Sequence, residues 1–319
     1  MKQILLDIFE EEMKKEDSAY LRSWDDYAAE LIEVYEELIK DLPLEEQIVK
    51  LIKLAYGDSF LNTGIYNAFK NNDMQLLHDT IYQSAGLSHI RNILNPGTDH
   101  AYYSYHIMPE LMCACRTDRI ELILPQQNGL CHGKLPGDII IDLFMALWYQ
   151  EEKIVKAARK LVQDSAGKKW THRDRAYISY LYALLDKDTE SASEQLSLMC
   201  RGAKKAKGVD FPAFKKEFLI LAHAMFNLSQ FVYNGELAGK IAMPDEDNFS
   251  KEFARWQQDQ GFKPGKLVYI FPEPITLYNL FLNITPPQMH LLEAHNRRFI
   301  DTERFTQELI HKVTQKQKD

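Results

Sequence analysis

The chain has 319 residues, of which 45% are hydrophobic and 26% charged, and its formal net charge is −8. These are values of an ordinary globular protein, and they argue against disorder. No segment reaches the roughly 20 consecutive apolar residues that cross a bilayer, and four cysteines are too few for a disulfide scaffold. The first residues turn acidic after a short apolar run, unlike a secretory signal peptide. We therefore expect a cytoplasmic protein without a membrane partner.

The negative charge is concentrated at the start of the chain. Residues 1–50 hold 15 acidic and 6 basic side chains, a net of −9, and the remaining residues hold 31 acidic and 32 basic, a net of +1. Phosphate binding needs clustered Lys and Arg, so this distribution argues against a nucleic-acid partner. It favours a basic partner, or simply solubility.

The first clear helix is predicted to end at Pro43, which cannot continue it. Its apolar residues recur at steps of three and four, which places them on one face: Ala28, Leu31, Ile32, Tyr35, Leu38, Ile39 and Leu42. Four acidic residues with the same period form the opposite face, here named the acidic face: Asp26, Glu30, Glu33 and Glu37. This pattern is typical of a solvated outer surface, and it also fits a docking surface for a cation-rich partner.

Further helices are predicted up to the middle of the chain. One covers residues 44–55, and another starts at the N-cap Asp73 and is broken at Gly86. The turn at residues 95–97 opens a buried helix rich in aromatic and sulfur-containing side chains, residues 102–115.

Residues 125–137 hold two Pro and three Gly in thirteen residues and are the best candidate for a linker. The domains expected from this division are an N-terminal helical half, residues 1–125, and a C-terminal repeat-like half, residues 137–319, which can also pack as one domain. Residues 139–148 are apolar nearly all round, which indicates a helix inside a core.

A helix pair is predicted next, with one helix capped by Thr171 and the other starting at a capping box at Ser191. Two short helices with a tight polar turn are the unit of α-helical repeats, although no fixed period runs through the chain. Another helix is predicted over residues 210–233, strand character over 266–272, and a last helix from Thr285. The predicted fold class is therefore all-α, a multi-helix bundle or repeat-like array, with at most that one short extended segment.

No catalytic, metal-binding or nucleotide-binding motif is complete, so the sequence predicts no catalytic residue, no metal site and no cofactor. Four potential zinc ligands lack the spacing of paired ligands, and their cysteines are interpreted as buried or incidental thiols: Cys113, Cys115, Cys131 and His132. Three others miss the zincin spacing by one residue and are interpreted as a solvated helix face: His290, Glu293 and His295.

Residues 172–208, HRDRAYISYLYALLDKDTESASEQLSLMCRGAKKAKG, resemble the helix-turn-helix of the immunity protein 49 family of bacterial polymorphic toxin systems. The likeness extends over about residues 137–310 as a pattern of helices and spacing, with no invariant motif from which functional residues could be transferred. It implies a cytosolic protein that binds and neutralises a cognate toxin.

The acidic face would favour a basic toxin, because charge complementarity speeds encounter. Two alternatives stay open: a helical scaffold or adaptor, and an enzyme whose site is assembled from scattered residues, for example His100, His106 and Glu110.

Overall fold

The computed structural model describes residues 2–15, 23–55, 57–165, 167–206 and 213–317. Helix accounts for 68% of the structure, which confirms the all-α prediction. The α-helices of the described residues are α1 (Lys2–Glu12), α2 (Trp24–Leu38), α3 (Leu44–Leu54), α4 (Gly57–Asn71), α5 (Met74–Ile93), α6 (His100–Cys113), α7 (Ile120–Ile123), α8 (Pro136–Tyr149), α9 (Glu152–Asp164), α10 (His172–Leu185), α11 (Thr189–Lys204), α12 (Ala213–Glu217), α13 (Ile220–Phe231), α14 (Lys251–Asp259), α15 (Leu277–Asn283) and α16 (Thr302–Lys316). The strands β1 (Leu291–Ala294) and β2 (Arg297–Ile300) form a two-stranded sheet. None of the described helices combines the length and the apolar character needed to cross a membrane.

The chain forms two compact units. The central unit contains residues 99–263 and 293–298, and the terminal unit contains residues 2–98, 264–292 and the chain from 299 onward. The units divide near residue 98 instead of within the predicted linker. That linker lies inside the central unit, where the buried Asp142 of α8 accepts backbone N–H groups from it and holds it in place.

In the terminal unit, α4 and α5 lie unusually close together. A Cβ atom added at Gly64 would lie 2.2 Å from Thr80 Cγ2, and one added at Gly57 would lie 2.5 Å from Ser88 Oγ. Glycine disfavours an isolated helix, and α4 was not predicted. The prediction that Gly86 breaks α5 is wrong, since the helix runs unbroken to Ile93. Tertiary packing outweighs glycine's weak helix propensity at these positions.

The segment predicted to be a strand, residues 266–272, forms no strand. Side chains of α5 bind its backbone: Asp79 Oδ1 accepts from Lys266 N at 3.0 Å, and Gln83 Oε1 accepts from Val268 N at 2.8 Å. Gln83 Nε2 also donates to Tyr269 O at 2.7 Å. Because helix side chains take the place of a neighbouring strand, this β-prone sequence is extended without belonging to a sheet.

The strands lie further along, where a helix was expected to begin at Thr285. That prediction is wrong, because Pro287 disfavours helical geometry in the residue before it. β1 and β2 instead form a hairpin whose two turn residues, His295 and Asn296, have φ of 53° and 60°, as in the mirror-image turns that hairpins prefer. The final helix begins after Asp301, whose carboxylate accepts from Arg304 N at 3.1 Å.

In the central unit, α8 forms the core. Of the apolar segment 139–148, residues 139–147 are buried as predicted, and Trp148 is half-buried. The helix pair α10 and α11 is also confirmed, with Thr171 Oγ1 accepting from Asp174 N at 3.1 Å. The cap of α11 is Asp188 and not Ser191, since the Asp188 carboxylate accepts from Ser191 N at 3.0 Å. The predicted start of the next helix, residues 210–212, lies outside the described residues, and that helix is divided at residues 218–219 into α12 and α13.

Candidate partner-binding surface

The acidic face lies on α2, and the packing of this helix turns it outward. Ser23 caps the helix, its Oγ accepting from Asp26 N at 3.1 Å. The opposite side carries Trp24, which stacks on Phe60 of α4 with ring centroids 5.0 Å apart, and the buried Tyr27. Because one side of α2 is held by these aromatic contacts, the four acidic side chains are all exposed.

The four acidic side chains point to the same side of α2. With about 100° per residue they fall within an arc of about 60°, and with a rise of about 1.5 Å they extend over about 16 Å. Neighbouring acids on α2 are engaged: Asp25 accepts from Tyr269 Oη at 2.9 Å, and Glu36 pairs with Lys40 at 3.1 Å. Within the described part of the chain, no ion pair or side-chain hydrogen bond involves the carboxylates of the acidic face. Their charge is therefore directed at solvent.

Two leucines, one at the end of α2 and one at the start of α3, are also exposed. Leu38 belongs to the predicted apolar face, yet 58% of its surface is exposed, and Leu44 at the start of α3 is 38% exposed. The helix ends at Leu38, before the predicted stop at Pro43. Apolar side chains beside charged ones are typical of the core and rim of a protein interface.

The three residues offered for an enzyme site all lie on α6. His100 is buried, and its Nε2 lies 2.8 Å from Ile123 O. Burial lowers the pKa of the His100 imidazole. His106 lies on an exposed position of the same helix and packs edge-on against Tyr102, with ring centroids 4.6 Å apart. The two histidines therefore face different environments, and Glu110 lies one helical turn from His106 on the same helix.

Cys113 and Cys115 are buried, and amide side chains of the central unit donate to the backbone and thiol around them. Gln257 Nε2 donates to Cys113 O at 2.8 Å, and Asn227 Nδ2 donates to Met112 O at 3.1 Å. Burial raises the pKa of the Cys113 thiol well above its usual range and that of Cys115 to about 12. Among the described residues, no three metal-ligating side chains are grouped as a metal site requires.

The interpretation of residues 290–295 as a helix face is wrong, because they belong to the hairpin and to the residue before it. His290 Nε2 lies 3.4 Å from Glu308 Oε1 of α16, whereas His295 lies in the hairpin turn. These side chains have no common ligand geometry.

A buried carboxyl group at Asp142 was not singled out from the sequence. Its side chain is fully buried in α8 and accepts from Cys131 N at 2.6 Å and from His132 N at 3.0 Å. Burial raises the pKa of the Asp142 carboxyl to about 7, and the two hydrogen bonds oppose that rise. Because both oxygens are engaged by the loop backbone, the group acts as a clamp on the loop. An acidic residue in an apolar helix was the available signal.

In comparison with known proteins, no family model matches the chain, no curated protein matches its sequence, and no solved structure matches its fold. The functional inference therefore depends on the sequence resemblance and on the surfaces of the protein itself.

Proposed function

We propose that this protein is an immunity protein that binds and neutralises a cognate bacterial toxin domain, and that it engages the toxin through the acidic face. The observation that carries this proposal is the exposure of four like charges on one side of a helix, without an ion pair among the described residues. A neutralising protein needs no catalytic groups of its own. It needs a stable scaffold and a surface complementary to one partner in shape and charge.

The acidic face would act first on the rate of encounter. A field of one sign steers an oppositely charged partner and speeds association at low salt. Leu38 and Leu44, which lie beside it in the sequence and are partly exposed, would then lose contact with water in the complex. Charge would set the association rate, and apolar burial would slow dissociation.

Co-expression tests the function. A neighbouring gene that encodes a large secreted protein with a variable C-terminal toxin domain would supply the partner. We expect the toxin domain to kill cells when expressed alone and to be tolerated when this protein is present. Equal killing with and without the protein would overturn the proposal.

Charge reversal tests the surface. Replacing Asp26, Glu30, Glu33 and Glu37 by Lys is expected to leave the circular dichroism spectrum unchanged and to slow toxin association at low salt. A smaller variant carries Glu30→Lys and Glu33→Lys. Its matched control carries Glu190→Lys and Glu194→Lys on α11, where both glutamates are also exposed. Association should slow for the first pair and not for the second. An unchanged rate at low salt for the fourfold variant would remove the acidic face from the proposal.

A helical scaffold or adaptor is the second candidate. The packed helix pair α10 and α11 favours it, since such pairs build the surfaces of α-repeat proteins. The two functions differ in their partner. An adaptor would bind cellular proteins in the absence of any toxin and would give no protection in the co-expression assay.

A further inference from the structure

A second charged face lies on α9, in the central unit. This helix buries Ile154 and Ala158 and turns three exposed lysines outward, here named the basic face: Lys153, Lys156 and Lys160. They fall within an arc of about 60°. The wider segment, residues 153–175, holds eight basic and two acidic side chains.

The basic face carries free charge, like the acidic face. On α9, Arg159 pairs with Asp186 and also donates to Leu185 O at 2.9 Å. Within the described ranges, by contrast, none of the three lysines has an ion pair or a side-chain hydrogen bond. Three positive charges in a row are therefore available to a negatively charged partner.

The spacing of the basic face matches that of the acidic face. The acidic residues are separated by steps of four, three and four, and the lysines by steps of three and four. With the two helices antiparallel, three charge pairs come into register: Asp26 with Lys160, Glu30 with Lys156, and Glu33 with Lys153. The intervals are then equal on both helices, about 6 Å and about 4.5 Å along the axis.

We propose that the acidic face of one copy of this chain docks on the basic face of a second copy. Each copy offers both faces, so two copies can exchange two such contacts across a two-fold axis, or copies can add head to tail. Exposed ion pairs contribute little individually. The association is therefore weak and reversible, and it weakens as salt is added.

This self-association would compete with the proposed toxin, since both use the acidic face. The competition with the toxin rests on the proposed function, whereas the self-association does not. The pairing of copies is measured on the purified chain alone, and the neutralising activity is measured in cells, so either can fail without the other.

The experiment is sedimentation equilibrium of the full chain over a range of concentrations. At about 0.01 M salt, where the Debye length is about 30 Å, we expect the average mass to rise with concentration. At about 0.15 M, where the Debye length is about 8 Å, we expect the rise to be reduced or lost. A wild-type protein that stays monomeric at low salt overturns the proposal.

Charge-swap variants identify the faces. The acid-reversed variant carries Asp26→Lys, Glu30→Lys and Glu33→Lys, and the base-reversed variant carries Lys153→Glu, Lys156→Glu and Lys160→Glu. Each should be monomeric alone at low salt. A mixture of the two should associate, because each then offers a face complementary to the other.

The control is the variant with Glu190→Lys and Glu194→Lys, which should associate like the wild type. Circular dichroism identifies a variant that fails to fold, in which case the corresponding Gln variants, which only remove charge, replace it. Failure of the mixture to associate overturns the proposal. A second result would also overturn the proposal. If the base-reversed variant self-associates like the wild type, and if the basic face binds heparin, then this face binds a polyanion and not a second copy.

Discussion

His223 lies fully buried in the central unit between two aromatic rings. Its imidazole stacks on Phe218 and Phe249, with centroid distances of 4.9 and 4.2 Å, and its Nε2 accepts from Ser250 N at 3.1 Å. Burial lowers the pKa of His223 to about 3. The folded state therefore holds a neutral ring where an unfolded chain would take up a proton near pH 6.5.

This difference predicts acid sensitivity. Because the unfolded state binds more protons than the folded state below pH 6.5, stability falls as the pH is lowered from that value towards 3. The loss from His223 should reach about 2 kcal/mol at about pH 5. Urea denaturation at about pH 7 and pH 5 measures it, with His223→Phe as the reference without a titrating ring. The wild type should lose more free energy of unfolding between the two pH values than the variant, and equal losses would contradict the assignment.

Asp142 predicts a pH dependence of opposite sign. Burial raises the pKa of its carboxyl to about 7 in the folded state, above its usual value near 4. The folded state then binds more protons between these values, so stability falls as the pH rises from about 4 through 7.

Asp142→Asn removes the titration and keeps one oxygen that can accept from the loop. Between about pH 5 and pH 8, the wild type should lose about 2 to 3 kcal/mol of unfolding free energy relative to this variant. Urea denaturation at both pH values provides the comparison. A free-energy difference that does not change with pH would show that the carboxyl titrates normally.

At the scale of elements, the close contact between α4 and α5 depends on Gly64, which has no side chain. A Cβ atom at Gly64 would approach three atoms of Thr80 to within 2.8 Å, a distance at which the helices must move apart. The α10–α11 pair offers a matched contrast. A Cβ atom at Gly202 of α11 would lie 3.6 Å from Arg173 N, which is ordinary van der Waals contact.

We therefore expect the same substitution to have opposite effects at the two positions. Gly64→Ala should destabilise the protein by about 1 to 3 kcal/mol through overpacking. Gly202→Ala should be neutral, or stabilise by up to about 1 kcal/mol, because alanine favours a helix more than glycine does. Thermal denaturation followed by circular dichroism compares the variants. A higher melting temperature for Gly64→Ala than for the wild type would show that α4 and α5 can separate without cost.

At the scale of the whole molecule, charge is divided into faces of opposite sign. The sequence total places −9 in residues 1–50 and +1 in the remainder. The net charge of residues 51–319 does not reveal the basic face, because acidic residues elsewhere in this range offset the lysines of residues 153–160. The acidic face could be predicted because its charges dominate their region. The basic face appears only when burial of Ile154 and Ala158 fixes which side of α9 is turned outward.

Periodicity in the sequence determined the helical class, the α10–α11 pair and the position of the acidic face, because amphipathic spacing follows from burial of one helix face. The absence of a polar face determined the buried centre of α8. Tertiary structure decided what local pattern could not express. Close packing at Gly64 supports a helix that glycine disfavours, and Asp79 and Gln83 hold a β-prone segment outside any sheet. The clamp at Asp142 binds a Pro- and Gly-rich segment within the central unit. In each case a packing contact or a side-chain hydrogen bond outside the local pattern outweighs the local preference.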